Sequence, residues 1–121
     1  MRSQRIVIVD DERSVRSGLS NLLQSEGYLT ETFDSAEALL AVPETLDTSA
    51  LLIIDIKLQG ISGFALVEKL AQHAALPPVI YISGHGDENM HWYAMGTGAL
   101  AFMRKPIHID TLLDCIRQSL A

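Results

Sequence analysis

Five apolar runs punctuate this chain, and all but the second end in residues able to do chemistry. Arg5-Ile6-Val7-Ile8-Val9 runs into Asp10-Asp11, and Leu51-Leu52-Ile53-Ile54 runs into Asp55. Four aliphatic residues in a row read as a strand covered on both faces, because a central strand of a parallel sheet has no solvent face on which to alternate polar residues. Val79-Ile80-Tyr81-Ile82 leads into Ser83-Gly84-His85-Gly86, and the stretch 98–103 leads into Arg104-Lys105-Pro106. Tyr28 to Phe33 alternates apolar and polar residues, the pattern of a strand near a sheet edge.

Between these runs the period changes to that of helices. Val15, Leu19, Leu22 and Leu23 form one apolar stripe that Gly27 stops. Asp34-Ser35-Ala36-Glu37 has the form of a capping box, with Asp34 as cap and Glu37 reaching back, ahead of a short helix with Ala36, Leu39 and Leu40 inward. Residues 43–49 read as a polar connector. Ser62 is placed to cap a helix burying Phe64, Val67, Leu70, Ala71 and Ala74, and Pro77-Pro78 bars its continuation. Asp87 is placed to cap a helix reaching about Gly96, covering the sheet through Met90, Ala94 and Met95. A last helix is expected to bury Ile109, Leu112, Leu113, Ile116 and Leu120. Strands alternating with single helices predict an α/β fold, (βα)₅, doubly wound, with helices on both faces of a five-stranded parallel sheet.

Composition narrows the class. The 121 residues and 13.3 kDa suit one domain, taken as 1–121. Apolar residues make up 48% and charged residues 20%, as in ordinary globular proteins. A formal charge of −6 without a Lys/Arg cluster argues against direct nucleic-acid binding. No run approaches a membrane span, and the N-terminus lacks a secretory pattern, so a cytoplasmic location without membrane attachment is expected. The single Cys115 lies on an apolar helix stripe and reads as a small core residue.

The chemistry gathers where the strands end, since ligands of open α/β sheets collect beyond the carboxyl ends of the strands. Alone, Asp55 reads equally well as a turn or cap residue. Asp10, Asp11, Ser83 and Lys105 arrive at the same edge, however. Clustered carboxylates repel one another and either take up protons or bind a cation. Hard oxygen donors with room for water suit Mg²⁺, and a carboxylate beside a metal can act as a nucleophile toward a phosphoryl group. Lys105 and the Ser83 hydroxyl would meet the developing charge.

Val9-Asp10-Asp11-Glu12, Ile53-Ile54-Asp55-Ile56-Lys57-Leu58 with Gly60 and Gly63, Ile80-Tyr81-Ile82-Ser83-Gly84, and Gly98-Ala99 ahead of Phe102 to Lys105-Pro106 together resemble the receiver domains of bacterial two-component response regulators. The resemblance covers the whole chain in order. It implies the flavodoxin-like strand order 2-1-3-4-5. It also implies Asp55 as phosphoacceptor, with Mg²⁺ held by Asp10, Asp11, Asp55 and the Lys57 carbonyl. Ser83 would contact the phosphoryl group, Phe102 would be the aromatic switch, and Lys105 would pair with phosphoryl oxygens ahead of a cis proline. The implied partners are a sensor histidine kinase, an output domain or effector, and a second copy through the face of the fourth helix, fifth strand and fifth helix. The pattern is nearest to receivers that precede a helix-turn-helix output domain, which points to transcriptional control.

Some positions depart from the family or stay open. Lys57 is expected to alter metal affinity and phosphoryl lifetime, against the reading of a solvated loop lysine. His85 is either a second lifetime modulator or a plain loop histidine. Gln59 stands where most receivers have proline, which leaves that loop less rigid. Phe102 lacks the hydroxyl of a switch tyrosine. His73, His91 and His108 read as surface residues without ligand spacing. At least one of Trp92 and Tyr93 should face outward as an interface anchor. The alternatives from other classes are a Mg²⁺-dependent phosphohydrolase with an Asp nucleophile and a degenerate receiver acting as a scaffold; the adjacent acid pair and the presence of every key residue speak against them.

Overall fold

The computed structural model describes residues 4–84 and 88–121. Five strands form one parallel sheet: β1 (Arg5–Val9), β2 (Leu29–Phe33), β3 (Ser49–Asp55), β4 (Val79–Ser83) and β5 (Ala101–Arg104), in the order β2-β1-β3-β4-β5. Between and after them lie α1 (Arg13–Ser25), α2 (Ala36–Leu40), α3 (Gly63–Ala71), α4 (Glu88–Gly96) and α5 (Ile109–Leu120). The expected doubly wound fold and strand order are both observed.

The unbroken apolar runs are explained by two cores, one on each side of the sheet. Val7, Val9, Leu52, Ile54 and Tyr81 point toward α2, α3 and α4, where they meet Ala36, Leu39, Leu66, Leu70 and Ala94. The alternate residues Ile6, Ile8, Leu51, Ile53, Ile80 and Ile82 face the other way. There α1 supplies Leu19 and Leu23, and α5 supplies Leu112, Leu113 and Ile116. A strand buried on both faces has no place for a polar residue until it ends, which is why the acids appear only at the strand tips.

Register then decides which tips meet. Val9 pairs with Ile54, so Asp10 and Asp55 emerge side by side from β1 and β3. Asp55 pairs with Ile82 and Ser83 with Arg104, which places Ser83 at the end of β4 and Lys105 just beyond the end of β5. The Lys105 N–H donates to the Ser83 carbonyl at 2.9 Å, and the Lys105–Pro106 bond is cis.

Several local expectations are corrected. The cap of α2 is Ser35, whose Oγ accepts from Ala38 N at 3.1 Å, and Glu37 does not close a capping box. Asp34 and Ser35 are both good caps; Ser35 has the extended backbone that the cap position requires. Residues Pro43–Thr48 are a 3₁₀ helix, not a polar connector, and bury Thr45 and Leu46. On α3 Leu70 is buried as expected and Phe64 and Val67 pack half-buried on the core, but Gly63 and Leu66 fill the buried stripe in place of the expected Ala71 and Ala74. Both alanines are exposed, and α3 ends at Ala71. Ser62 does cap this helix, accepting from Ala65 N at 3.1 Å. The small-residue approach to β5 is as expected: Gly98 turns with φ +91°, Leu100 bonds to Val79, and the strand begins at Ala101. On α5, Ile109 is exposed and Leu120 half-buried. Met95 is exposed as well, leaving Ala94 as the buried residue of α4. The Asp87 cap lies outside the described residues.

Candidate functional site

Asp10 and Asp55 are built alike. The Glu12 N–H donates to Asp10 Oδ1 at 2.8 Å, and the Lys57 N–H donates to Asp55 Oδ1 at 3.0 Å. In each case the amide two residues on holds one carboxylate oxygen, a turn that Asp readily forms at a strand end. The second oxygens, both named Oδ2, converge on one cation. Lys105 Nζ lies 3.0 Å from Asp10 Oδ2, 3.0 Å from Asp55 Oδ2 and 2.8 Å from Glu12 Oε1. Arg16 of α1 donates to the Asp10 carbonyl at 2.8 Å and braces the tip of β1 from outside the pocket.

Depth separates the three acids that meet Lys105. The Asp10 side chain is 0% exposed and that of Asp55 4%, against 57% for Glu12. Burial raises the Asp10 pKa, and the nearby Asp55 charge pushes the same way; the Glu12 amide and Lys105 oppose them without prevailing. For Lys105, burial works against the ammonium, but the carboxylates of Glu12, Asp10 and Asp55 outweigh it and hold the pKa above the ordinary lysine value.

One atom is left over. Asp10 Oδ2 is fully buried and has no donor correctly aligned on it, although Lys105 stands near. An under-satisfied buried carboxylate oxygen is unfavourable unless a cation completes its surroundings. Asp10, Asp11, Glu12 and Asp55 each offer an oxygen, all within 4.8 Å of one another. The donor set is all oxygen, hard and anionic, and open to water through exposed Asp11 and Glu12, so it fits a divalent cation of the Mg²⁺ or Ca²⁺ type.

Ser83 is fully buried at the end of β4, beside Asp55 in the sheet. The Lys57 side chain is exposed and makes no ion pair among the described residues. The cation that neutralises the pocket is therefore Lys105, and Lys57 contributes through its backbone. His85 lies outside the described residues. Phe102 is half-buried at the junction of β5 and α4, where the His91 ring stacks on it with centroids 5.1 Å apart and an 18° interplanar angle. The Arg104 guanidinium lies 5.7 Å from the Phe102 centroid. Trp92 and Tyr93 both face outward, Trp92 with 76% of its surface exposed. Tyr93 is tied down, its ring 4.6 Å from that of Phe64 and its hydroxyl donating to Glu68 at 3.3 Å.

Three residues join the site without having stood out in the sequence: Glu12, Arg16 and His91. Glu12 was detectable as a third acid directly after the Asp pair. Arg16 and His91 act through contacts that appear only once α1 and α4 are docked. His108 also has a local duty, its Nδ1 accepting from Thr111 N at 3.3 Å to cap α5.

These features, an acid pair opposite a third Asp with Lys and Ser at the flanking strand ends, define a doubly wound α/β domain with an acidic pocket at the carboxyl edge of its sheet. The chain belongs to the response regulator receiver domain family, whose model matches residues 6–117. It is 34% identical over 116 residues to the transcriptional regulatory protein TdiR of Thauera aromatica, covering 96% of this chain and 51% of that one. It is 39% identical over 115 residues to the response regulator protein TmoT of Ectopseudomonas mendocina, covering 95% of this chain and 52% of that one. The chain thus spans about half the length of these curated relatives. Among solved structures it resembles the response regulator StyR, with TM-score 0.85, 40% identity and coverage of 98% of this chain and 60% of that one. It also resembles a CheY-like receiver domain protein from Methanospirillum hungatei JF-1, with TM-score 0.88, 29% identity and coverage of 98% and 94%. Among the described residues no helix is long and apolar enough to cross a membrane.

Proposed function

We propose that this receiver takes a phosphoryl group from a sensor histidine kinase onto Asp55, with Mg²⁺, and thereby changes its α4-β5-α5 surface for an output domain, an effector or a second copy. The observation that carries the reading is the convergence of buried Asp10 Oδ2 and Asp55 Oδ2 on Lys105, with the Asp10 atom still lacking an aligned donor. Asp10, Asp11, Asp55 and the Lys57 carbonyl would hold the Mg²⁺, which when bound neutralises charge on the pocket and on the incoming phosphoryl oxygens.

An Asp55 carboxylate oxygen attacks the phosphorus of the donor's phosphohistidine. The P–N bond breaks, its electron pair returns to the imidazole, and Asp55 becomes an acyl phosphate. Lys105, already against Asp55 Oδ2, needs only a short shift to pair with a phosphoryl oxygen. The Ser83 hydroxyl donates to another, and Phe102 repacks in the space that Ser83 leaves. An apolar groove of about 600 Å³ opens beside Lys105, lined by Val15, Leu19, Leu22, Pro106 and Ile107, and would seat the donor's helix. Lys57 at the rim, and His85, would tune the lifetime of the acyl phosphate.

A cytoplasmic setting follows from this kinase partnership, and the names of the relatives support a transcriptional output. The phosphohydrolase alternative is not favoured, because the receiver match runs through nearly the whole chain. A degenerate scaffold would be expected to lose an acid or the lysine, and Asp10, Asp11, Asp55 and Lys105 are all in place. Incubation with a small-molecule phosphodonor and Mg²⁺, followed by intact mass measurement, tests the proposal. One phosphoryl adduct on the wild type and none on Asp55→Asn is expected; an adduct on both, or on neither, would refute it.

A further inference from the structure

We infer that Glu37, on α2, is a positioning residue for the loop that follows Asp55, fastening that loop where the family's usual proline is replaced by Gln59. The inference rests on the reading of Asp55 and the Lys57 carbonyl as parts of a Mg²⁺ site.

The base of the loop is stitched to the sheet. Ile56 N–H donates to the Ile82 carbonyl at 2.9 Å, Gly63 N–H donates to the Ile56 carbonyl at 2.9 Å, and Lys57 N–H holds Asp55 Oδ1. A side chain at Gly63 would collide with the Asp55 carbonyl, so α3 starts directly against the strand end. Between these fixed ends, Leu58 and Ile61 rest on the core while Gln59 and Gly60 are exposed. Nothing in the covalent chain stiffens this tip, since Gln59 lacks the fixed φ of proline.

Glu37 supplies the restraint from the neighbouring helix α2. Its Oε2 accepts from the Ile61 N–H at 3.3 Å, over a separation of 24 residues. The same oxygen would lie 2.5 Å from a Cβ on Gly60, and Gly60 turns with φ +83°. The positive φ suits glycine, and the turn brings the loop up against the Glu37 carboxylate. The donated Ile61 N–H and the adjacent Gly60 turn both lie against this one carboxylate oxygen. With Ser35 capping α2, Glu37 is free of its own helix and directed to the neighbouring loop.

The consequence lies at Lys57. The direction of its carbonyl depends on where residues 58–61 travel, so holding Ile61 fixes a metal ligand four residues earlier. One hydrogen bond of this kind implies a change of about three- to tenfold in Mg²⁺ affinity when it is lost.

Two measurements on Glu37→Ala and Glu37→Gln decide the matter: hydrogen exchange of the Ile61 amide, and Mg²⁺ affinity followed by amide chemical shifts. Glu37→Ala should speed Ile61 exchange and weaken Mg²⁺ binding about three- to tenfold. Glu37→Gln, which keeps an acceptor oxygen and loses the charge, should restore most of both. Equal weakening in both variants would overturn the inference, because it would trace the effect to lost charge instead of lost anchoring. Ile61 exchange unchanged in Glu37→Ala would overturn it too. A wild type that binds no Mg²⁺ would refute the metal site itself and with it the role given to Glu37, while Ile61 exchange would still report whether the fastening exists.

Discussion

The acidic pocket and the α4–β5 face are made from neighbouring strands by opposite means. In the pocket, Asp10, Asp55 and Ser83 are buried, and each carboxylate has one oxygen fixed by a backbone amide and the other 3.0 Å from Lys105 Nζ. On the face, α4 buries Ala94 and leaves Trp92, Tyr93 and Met95 exposed, and Phe102 is held by ring stacking and half burial. Hydrogen bonds between charged and fixed groups define one geometry, whereas stacked rings permit several of similar energy. The contrast suits the proposed function, in which chemistry is done at the hydrogen-bonded pocket and reported at the face held by ring packing.

The sharpest way to break this contrast is to remove the cation from the pocket. Lys105→Met keeps the volume but leaves Asp10 and Asp55 buried without their partner, and should cost about 3 kcal/mol in urea unfolding without metal. Added Mg²⁺ should return most of that loss. A loss below about 0.5 kcal/mol, the scale of a neutral surface change, would show the pocket to be softer than described.

Asp10→Asn should act in the opposite direction. The folded-state pKa of Asp10 is raised, so its protonated form contributes stability that is fully present below the unfolded value and is lost as pH rises through the folded value. At neutral pH the metal-free wild type therefore carries the cost of a buried charge, and Asp10→Asn should gain about 1 kcal/mol. The gain should vanish on acidification toward the ordinary carboxylate range, and Mg²⁺ should stabilise the wild type more than the variant. Urea midpoints measured across pH, with and without Mg²⁺, check both signs.

Much of this pocket is legible in the sequence, for a physical reason. Strands buried on both faces cannot carry a polar residue before their ends, so Asp10, Asp55 and Ser83 stand out as the first polar groups after aliphatic runs, and Lys105 follows the fifth run directly after Arg104. Their convergence needs only parallel strands in register. Other features depend on distinctions too small for pattern reading. Asp34 and Ser35 are adjacent and equally able to cap α2, and backbone conformation decides between them. Leu70 is buried on α3 as its spacing predicts, whereas Leu66 takes the place expected for Ala71 and Ala74 because α3 starts with Gly63 packed on Asp55. Glu37 has the spacing of a capping box, yet it serves a loop 24 residues away. The pairing of His91 with Phe102 requires knowing how α4 lies on β5.

Smaller changes probe the compliant side. His91→Ala removes the ring stacked on Phe102 and should cost about 0.5–1 kcal/mol. It should also broaden the side-chain conformations of Phe102 seen by NMR while leaving Mg²⁺ affinity unchanged. Trp92→Ala should alter stability by less than about 0.5 kcal/mol, because the exposed indole contributes little to the core. A loss above about 2 kcal/mol, the scale of a core truncation, would mean that the face is packed as tightly as the pocket.

The most direct measurement of coupling between the two regions is an amide and side-chain NMR comparison before and after adding beryllofluoride with Mg²⁺, on the wild type and on Asp55→Asn. In the wild type, shifts should spread from residues 10–12 and 55–57 through Ala101–Arg104 to α4, with a changed Phe102 ring, and Asp55→Asn should show none of the beryllofluoride response. Shifts confined to the pocket in the wild type, with Phe102 and α4 unmoved, would contradict the account.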